Sequence, residues 1–213
     1  MTRVKCPHCS HCWQEADRLC GANRRCPACQ KIVTVVEEAF YERAAEERGR
    51  LVSGVRAVVP VACIVHNVRS AYNVGSIFRS ADGAGVAEIA LVGITPDAST
   101  PQVAKTSLGA EDSVPWRRSG SLAAAVDYFR CKGMTVLAAE KVPGALDPLV
   151  SGIPLPVAFV LGNEVSGLCE AEVSLCDGAV ALPMLGAKGS LNVASAAAVL
   201  FYLGLAAHVR SVD

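Results

Sequence analysis

The chain changes rhythm near residue 57. Before it, apolar residues come singly and are broken by Cys, Pro and charged positions; after it, short aliphatic runs alternate with longer stretches of helical period. Apolar runs predict strands over residues 58–65, 88–94, 134–139, 157–161 and 179–182. Helical periodicity predicts helices over residues 73–85, 122–132, 168–175 and 191–207. Strands alternating with helices predict an α/β domain on a mostly parallel sheet, covered on both faces. In such a sheet a ligand sits beyond the carboxyl ends of the strands. The stretch 191–207 falls short of a membrane span and follows a Gly-rich turn, so it reads as a buried core helix. Residues 35–50 read as a linker helix, with opposite charges three and four apart, such as Glu46 and Arg50.

Composition narrows the core chemistry. Hydrophobic residues make up 52% of the 213 positions but aromatics only 5%, so the core must be aliphatic. Formal net charge is zero, yet its distribution is uneven. Residues 1–34 carry six Lys or Arg against two acidic side chains, whereas residues 57–213 carry ten against thirteen. The basic charge therefore sits at the amino end, where it can meet a polyanion. The chain opens on charged and Cys-rich residues with no apolar leader, and a cytoplasmic protein that does not enter a membrane is expected.

Six of the ten Cys precede residue 30. Cys6-Pro-His-Cys9 and Cys26-Pro-Ala-Cys29 form two knuckles of the spacing used by a four-thiolate zinc ribbon. A two-residue gap lets both thiolates of one knuckle reach the same ion, and the second knuckle completes a tetrahedron. So short a segment cannot bury enough apolar surface to fold alone, and the metal supplies the missing stability. Cys6, Cys9, Cys26 and Cys29 are the favoured Zn2+ ligands because both pairs share the form Cys-Pro-x-Cys; Cys12 and Cys20 are expected to be small buried residues. Iron in a rubredoxin-like site is the minor alternative. The ribbon either only stabilises the amino end or also anchors RNA, with Arg24 and Arg25 contacting phosphate. Cys63, Cys131, Cys169 and Cys176 lie in or beside apolar runs and read as inert thiols.

Three segments carry the candidate chemistry of the main domain. Leu161-Gly-Asn-Glu-Val-Ser-Gly167 and Leu182-Pro-Met-Leu-Gly-Ala-Lys-Gly-Ser-Leu-Asn-Val193 are Gly-bearing turns after apolar runs, the pattern of backbone laid bare to a ligand. Asn73-Val-Gly-Ser-Ile-Phe-Arg79 places one Arg on an early helix. No Gly-x-Gly-x-x-Gly follows the first strand, which disfavours an ordinary dinucleotide or Rossmann methyltransferase site, and there is no Walker loop or Gly-x-Ser-x-Gly elbow.

Together these segments resemble the SpoU/TrmH-type RNA 2′-O-ribose methyltransferases of the SPOUT superfamily. The first family motif looks like Asn73-x-Gly75-x-x-x-Arg79, the second like Leu161-Gly-Asn-Glu164-x-x-Gly167, and the third like Pro183-Met-x-Gly followed by Ser190-Leu-Asn-Val193. Lys105-Thr-Ser-Leu-Gly-Ala110 is similar to a Lys segment of one subfamily. The resemblance covers about residues 58–205 and leaves the ribbon outside. Beside the zinc ribbon over 1–34 and the helical linker over 35–56, it implies a SPOUT domain over 57–213, whose sheet ends in a carboxyl-terminal trefoil knot. It implies S-adenosylmethionine as cofactor, a homodimer with its interface beside the site, and methylation of a ribose 2′-hydroxyl in tRNA or rRNA. The alternative is an RNA- or ribosome-binding protein that kept the fold without catalysis.

Carried over by position, Leu161, Gly162, Gly167, Leu182, Met184, Ser190 and Leu191 would hold the cofactor. Arg79, Asn73, Glu164, Ser190 and Asn192 would form the catalytic pocket, with Arg24, Arg25, Arg79 and Lys105 meeting RNA. Arg79 is always charged and is read as gripping a phosphate and the 2′-oxygen rather than as a literal base. Asn73 either holds Arg79 or the ribose, or caps a helix. Glu164 is expected to orient its loop or Arg79 rather than to transfer a proton. Ser190 and Asn192 either complete the pocket or simply start the last helix.

Overall fold

The computed structural model describes residues 2–6, 8–15, 22–34 and 58–212. The linker helix expected over 35–50, and Cys20, lie outside them. The chain divides into two compact units, Met1–Val55 and Arg56–Asp213.

The first unit repeats one small design. Strand β1 (Thr2–Lys5) pairs antiparallel with β2 (Cys12–Glu15), and β3 (Asn23–Arg25) with β4 (Ile32–Thr34). The Cys knuckles are the turns between them. In the first, Cys6 N donates to His11 O and Ser10 N to Cys6 O; in the second, Cys26 N donates to Lys31 O and Gln30 N to Cys26 O. Ser10 and Gln30 both take a left-handed backbone, at φ 61° and 59°. The only apolar cluster that the described residues form here is Cys6, Cys26 and Val33, with Trp13 and Cys29 against it.

The second unit is a six-stranded sheet of order β10-β8-β9-β5-β6-β7, parallel throughout. Its strands are β5 (Val59–His66), β6 (Val86–Val92), β7 (Trp116–Ser119), β8 (Thr135–Ala139), β9 (Val157–Leu161) and β10 (Gly178–Val180). Its helices are α1 (Ala71–Gly83), α2 (Pro101–Ser107), α3 (Ala110–Ser113), α4 (Leu122–Cys131), α5 (Pro148–Ser151), α6 (Glu170–Val173) and α7 (Val193–Val212). Central strands β5 and β9 are buried on both faces, which is why they are unbroken apolar runs. Alternate side chains feed two cores. Val61, Cys63, Val65, Ile89, Leu91 and Phe159 meet α1 and α7 on one face; Ala62, Ile64, Ala90 and Val160 meet α4 on the other. Each fully buried aliphatic or Phe side chain contributes about 1.5–3 kcal/mol, so this double-sided aliphatic packing dominates the domain's stability.

All five strands expected in this unit form, and the chain adds β7 at the far edge of the sheet. The stretch 191–207 forms α7, but it is buried on one stripe only. Ala194, Ala197, Leu200, Phe201 and Gly204 face the sheet, while Tyr202 and Val209 are about half exposed. Strand β10 has neighbours on both sides. On one lies β8; on the other, Leu146 N donates to Ala179 O at 2.8 Å and Ala181 N to Leu146 O at 2.9 Å.

Candidate cofactor cavity and cysteine cluster

Because β8, β9 and β10 run parallel, the segments that leave them gather at one end of the sheet. There they enclose a cavity of about 270 Å³. Its walls come from three passes of the chain: residues 139–141 after β8, 161–167 after β9, and a third running from Val180 to the first turns of α7. Leu161, Gly162, Gly167, Leu182, Met184, Ser190 and Leu191, the seven residues assigned to the cofactor from sequence, all line it.

The middle wall is a turn closed on itself. Gly167 N donates to Asn163 O at 2.9 Å, and Asn163 Oδ1 accepts from Val165 N and Ser166 N. Gly162 and Gly167 are there because the turn is so tight: a methyl at 162 would lie 2.7 Å from the Gly167 carbonyl carbon, and Gly167 itself has φ +65°. Asn163 Nδ2 also donates to Asn67 O at 2.8 Å, tying the turn to the end of β5.

Glu164 joins this turn to α1. Its Oε2 accepts from Arg69 N, and its Oε1 accepts from Ser70 N and from Asn73 Nδ2, each at 2.9 Å. Burial works against the ionised carboxyl, but these three donors outweigh it and hold the pKa below the usual glutamate value. The charge also lies at the positive end of α1. Asn73 is not the cap of α1; Ser70 is, accepting from Asn73 N at 3.3 Å. The Asn73 amide instead bridges two loops, since its Oδ1 accepts from Asn192 Nδ2 at 3.2 Å. Asn192 in turn starts α7, its Oδ1 accepting from Ala194 N at 2.9 Å. Asn192 therefore caps a helix and closes a relay, Asn192 to Asn73 to Glu164, that locks both cavity loops to α1. Ser190 sits exposed on the cavity wall.

Arg79 is not brought into this group. It lies on the exposed side of α1, six residues past Asn73 and so about 9 Å along the axis. It is outside the cavity lining and has no ion pair among the described residues. Lys105, on α2, is likewise exposed and away from the cavity. Among the cavity residues not assigned from sequence are two charged ones, Glu140 and Lys141. Their signal was available: charged residues directly after a predicted strand of a parallel sheet stand at its ligand-binding end.

In the first unit, the Sγ atoms of Cys6, Cys9, Cys26 and Cys29 all lie within 4.8 Å of one another. Cys6 to Cys29 and Cys9 to Cys26 are both 3.7 Å. Four thiolates about 2.3 Å from a tetrahedral zinc stand about 3.8 Å apart, so the donor set fits that ion. His8 N points at Cys6 Sγ at 3.4 Å. Burial raises the Cys26 thiol, but the N–H groups of Cys29 and Ala28 and the neighbouring thiols bring it down to about 7, whereas Cys9, despite a hydrogen bond at His11 that lowers it, is pushed up to about 12 by burial and the other three thiols. Cys12 is outside the cluster, with Sγ directed at Ser10 O. Arg24 and Arg25 are displayed to solvent on β3.

Comparison with known proteins agrees with the motif reading. The model of the SpoU rRNA Methylase family matches residues 60–202. A tRNA (guanosine(18)-2′-O)-methyltransferase of Thermus thermophilus is 33% identical over 162 residues, spanning 76% of this chain and 82% of that one. A putative TrmH family tRNA/rRNA methyltransferase of Staphylococcus haemolyticus is 34% identical over 65% of this chain, which spans only 55% of that relative's length. The crystal structure of the SpoU methyltransferase AviRb from Streptomyces viridochromogenes, in complex with the cofactor AdoMet, superposes with a TM-score of 0.64 at 26% identity, covering 76% of this chain and 64% of that one. The A. aeolicus TrmH/SpoU tRNA modifying enzyme shares the fold, with a TM-score of 0.65 at 19% identity. On the matched motifs, the fold and the family match across two thirds of its length, the chain belongs to the SpoU rRNA methylase family.

Proposed function

We propose that this protein methylates a ribose 2′-hydroxyl in tRNA or rRNA, using S-adenosylmethionine held in the cavity at the end of β8, β9 and β10. The observation that carries the reading is the convergence of all seven motif-assigned residues on that one cavity. The Thermus relative's name and the AdoMet complex of AviRb support it. Bound there, the cofactor would supply a methyl group already activated by a sulfonium.

The protein's part is then to place and strip of water a weak nucleophile. Glu164 does not take the proton, because both of its oxygens are committed to α1 and its basicity is lowered. Arg79 holds a backbone phosphate and the 2′-oxygen in its two-pronged fork, and the phosphate or a water accepts the proton. Since Arg79 lies outside the cavity of its own subunit, it serves the cavity of a second copy. The exposed apolar side chains Tyr72 on α1 and Val199, Tyr202 and Val209 on α7 supply a homodimer face on the same helices. The knot belongs to this reading too, and the position of β10 between β8 and Leu146 is compatible with it.

Cys6, Cys9, Cys26 and Cys29 hold a structural Zn2+. Four thiolates leave the ion no open position, so its role is to fold the module and present Arg24 and Arg25 to RNA. The test is incubation with labelled S-adenosylmethionine and total RNA from a strain lacking the protein, followed by mapping of 2′-O-methyl sites. New methylation at a ribose 2′-position is expected. Well-folded protein that binds RNA, yet neither takes up the cofactor nor transfers the label, would refute the proposal.

A further inference from the structure

The cavity has a second carboxylate, Glu140, immediately beyond β8. Leu168 N donates to its Oε2 at 2.9 Å and Lys141 N to its Oε1 at 3.1 Å. The same Oε2 stands against Gly167, where an added methyl would collide with it. Turn 162–167 is therefore braced from two sides, by Glu164 toward α1 and by Glu140 toward β8. We propose that Glu140 is a positioning residue for the cofactor: it fixes the peptide between Gly167 and Leu168 in the form that walls the cavity. The proposal rests on the reading that the cavity holds S-adenosylmethionine.

The reasoning is conformational. Leu168 is 6% exposed and anchored in the apolar cluster beneath α4, so its side chain stays in place whatever happens at residue 140. Gly167 has no side chain to restrict it and stands at a positive φ. Without an acceptor for Leu168 N, the intervening peptide can rotate freely. Ligand binding must then order a wall that the wild-type chain presents already formed, and that entropy appears as weaker affinity rather than slower chemistry. A Gln keeps one acceptor oxygen for Leu168 N; an Ala keeps none.

The experiment is calorimetric titration of the full chain with S-adenosylmethionine, for wild type, Glu140→Ala, Glu140→Gln, Gly167→Ala and the double variant Glu140→Ala/Gly167→Ala. Loss of one charged hydrogen bond predicts about tenfold weaker binding for Glu140→Ala and about threefold for Glu140→Gln. Gly167→Ala binds weakly, and the double variant binds no worse than Gly167→Ala because the collision has been removed. With total RNA as acceptor, KM for the cofactor rises in Glu140→Gln while kcat at saturation is kept. Equal affinity in wild type and Glu140→Ala overturns the proposal and leaves the cofactor reading intact. So does a fall in kcat without a change in KM. Should Glu140→Ala fail to fold by circular dichroism, wild-type affinity in Glu140→Gln overturns it equally. No heat with wild type overturns the cofactor reading, and this proposal with it.

Discussion

Replacing Glu164 by Gln tests the brace between the cofactor turn and α1. Three donors converge on the carboxylate, two of them backbone N–H groups at the start of the helix. A hydrogen bond to a charged group contributes about 1.5–3 kcal/mol when buried. Glu164 is exposed, so solvent screening cuts each bond to about 0.5 kcal/mol, with about 0.5 kcal/mol more from the helix terminus. The sum is about 2 kcal/mol, of which a neutral amide with a single acceptor oxygen loses about 1 kcal/mol. For a domain of this size that corresponds to a melting temperature lower by roughly 3 °C. The pH dependence fixes the cause. Because the folded-state pKa is depressed below the usual 4.5, the stabilisation is complete above that value and is lost as pH falls through the lowered folded value. Thermal melts followed by circular dichroism from pH 7 down to pH 3 should show the gap between wild type and Glu164→Gln closing as the pH drops. A gap that persists unchanged at pH 3, or no gap at pH 7, would refute the argument that the ionised carboxylate is the brace.

Three further outcomes are expected. Arg79→Lys keeps the charge but not the fork, and should lower kcat by about 100-fold while calorimetry finds cofactor affinity unchanged; near-full turnover would exclude bidentate positioning. Removing the metal with a chelator should release about one zinc per chain and weaken RNA binding, while the Arg56–Asp213 unit keeps its melting transition; loss of that transition would contradict a purely local role for the ion. Wild type should sediment as a dimer in analytical ultracentrifugation and Tyr202→Asp as an inactive monomer, and a fully active monomer would sink the idea that Arg79 acts on a second copy.

What the residues revealed in advance follows from where each element is buried. Strands β5, β8 and β9 sit in the interior, so hydrophobicity alone marks them within a residue or two of their ends. Strand β7 is Trp-Arg-Arg-Ser on an edge, largely open to solvent, and offers no apolar alternation to detect. Helices α2, α3 and α5 are seven residues or fewer, too short for a periodic signal. The cavity wall was legible because glycines and a strand end announce exposed backbone. The relay from Asn192 through Asn73 to Glu164 was not, because its members are 119 and 91 positions apart in their two contacts and only the sheet order brings them together. The place of Glu140 on the cavity could be read from the end of its strand, but its bond to Leu168, 28 residues away, could not.

Strand β10 is held between two stretches that are synthesised well before it. One consequence concerns timing during translation. The pocket's third wall begins at β10 and ends in α7, so the proposed cofactor would find no complete site until these last elements have emerged from the ribosome. A ligand seated there would touch the segments that follow β8, β9 and β10 together, and so would act as a pin that resists withdrawal of α7.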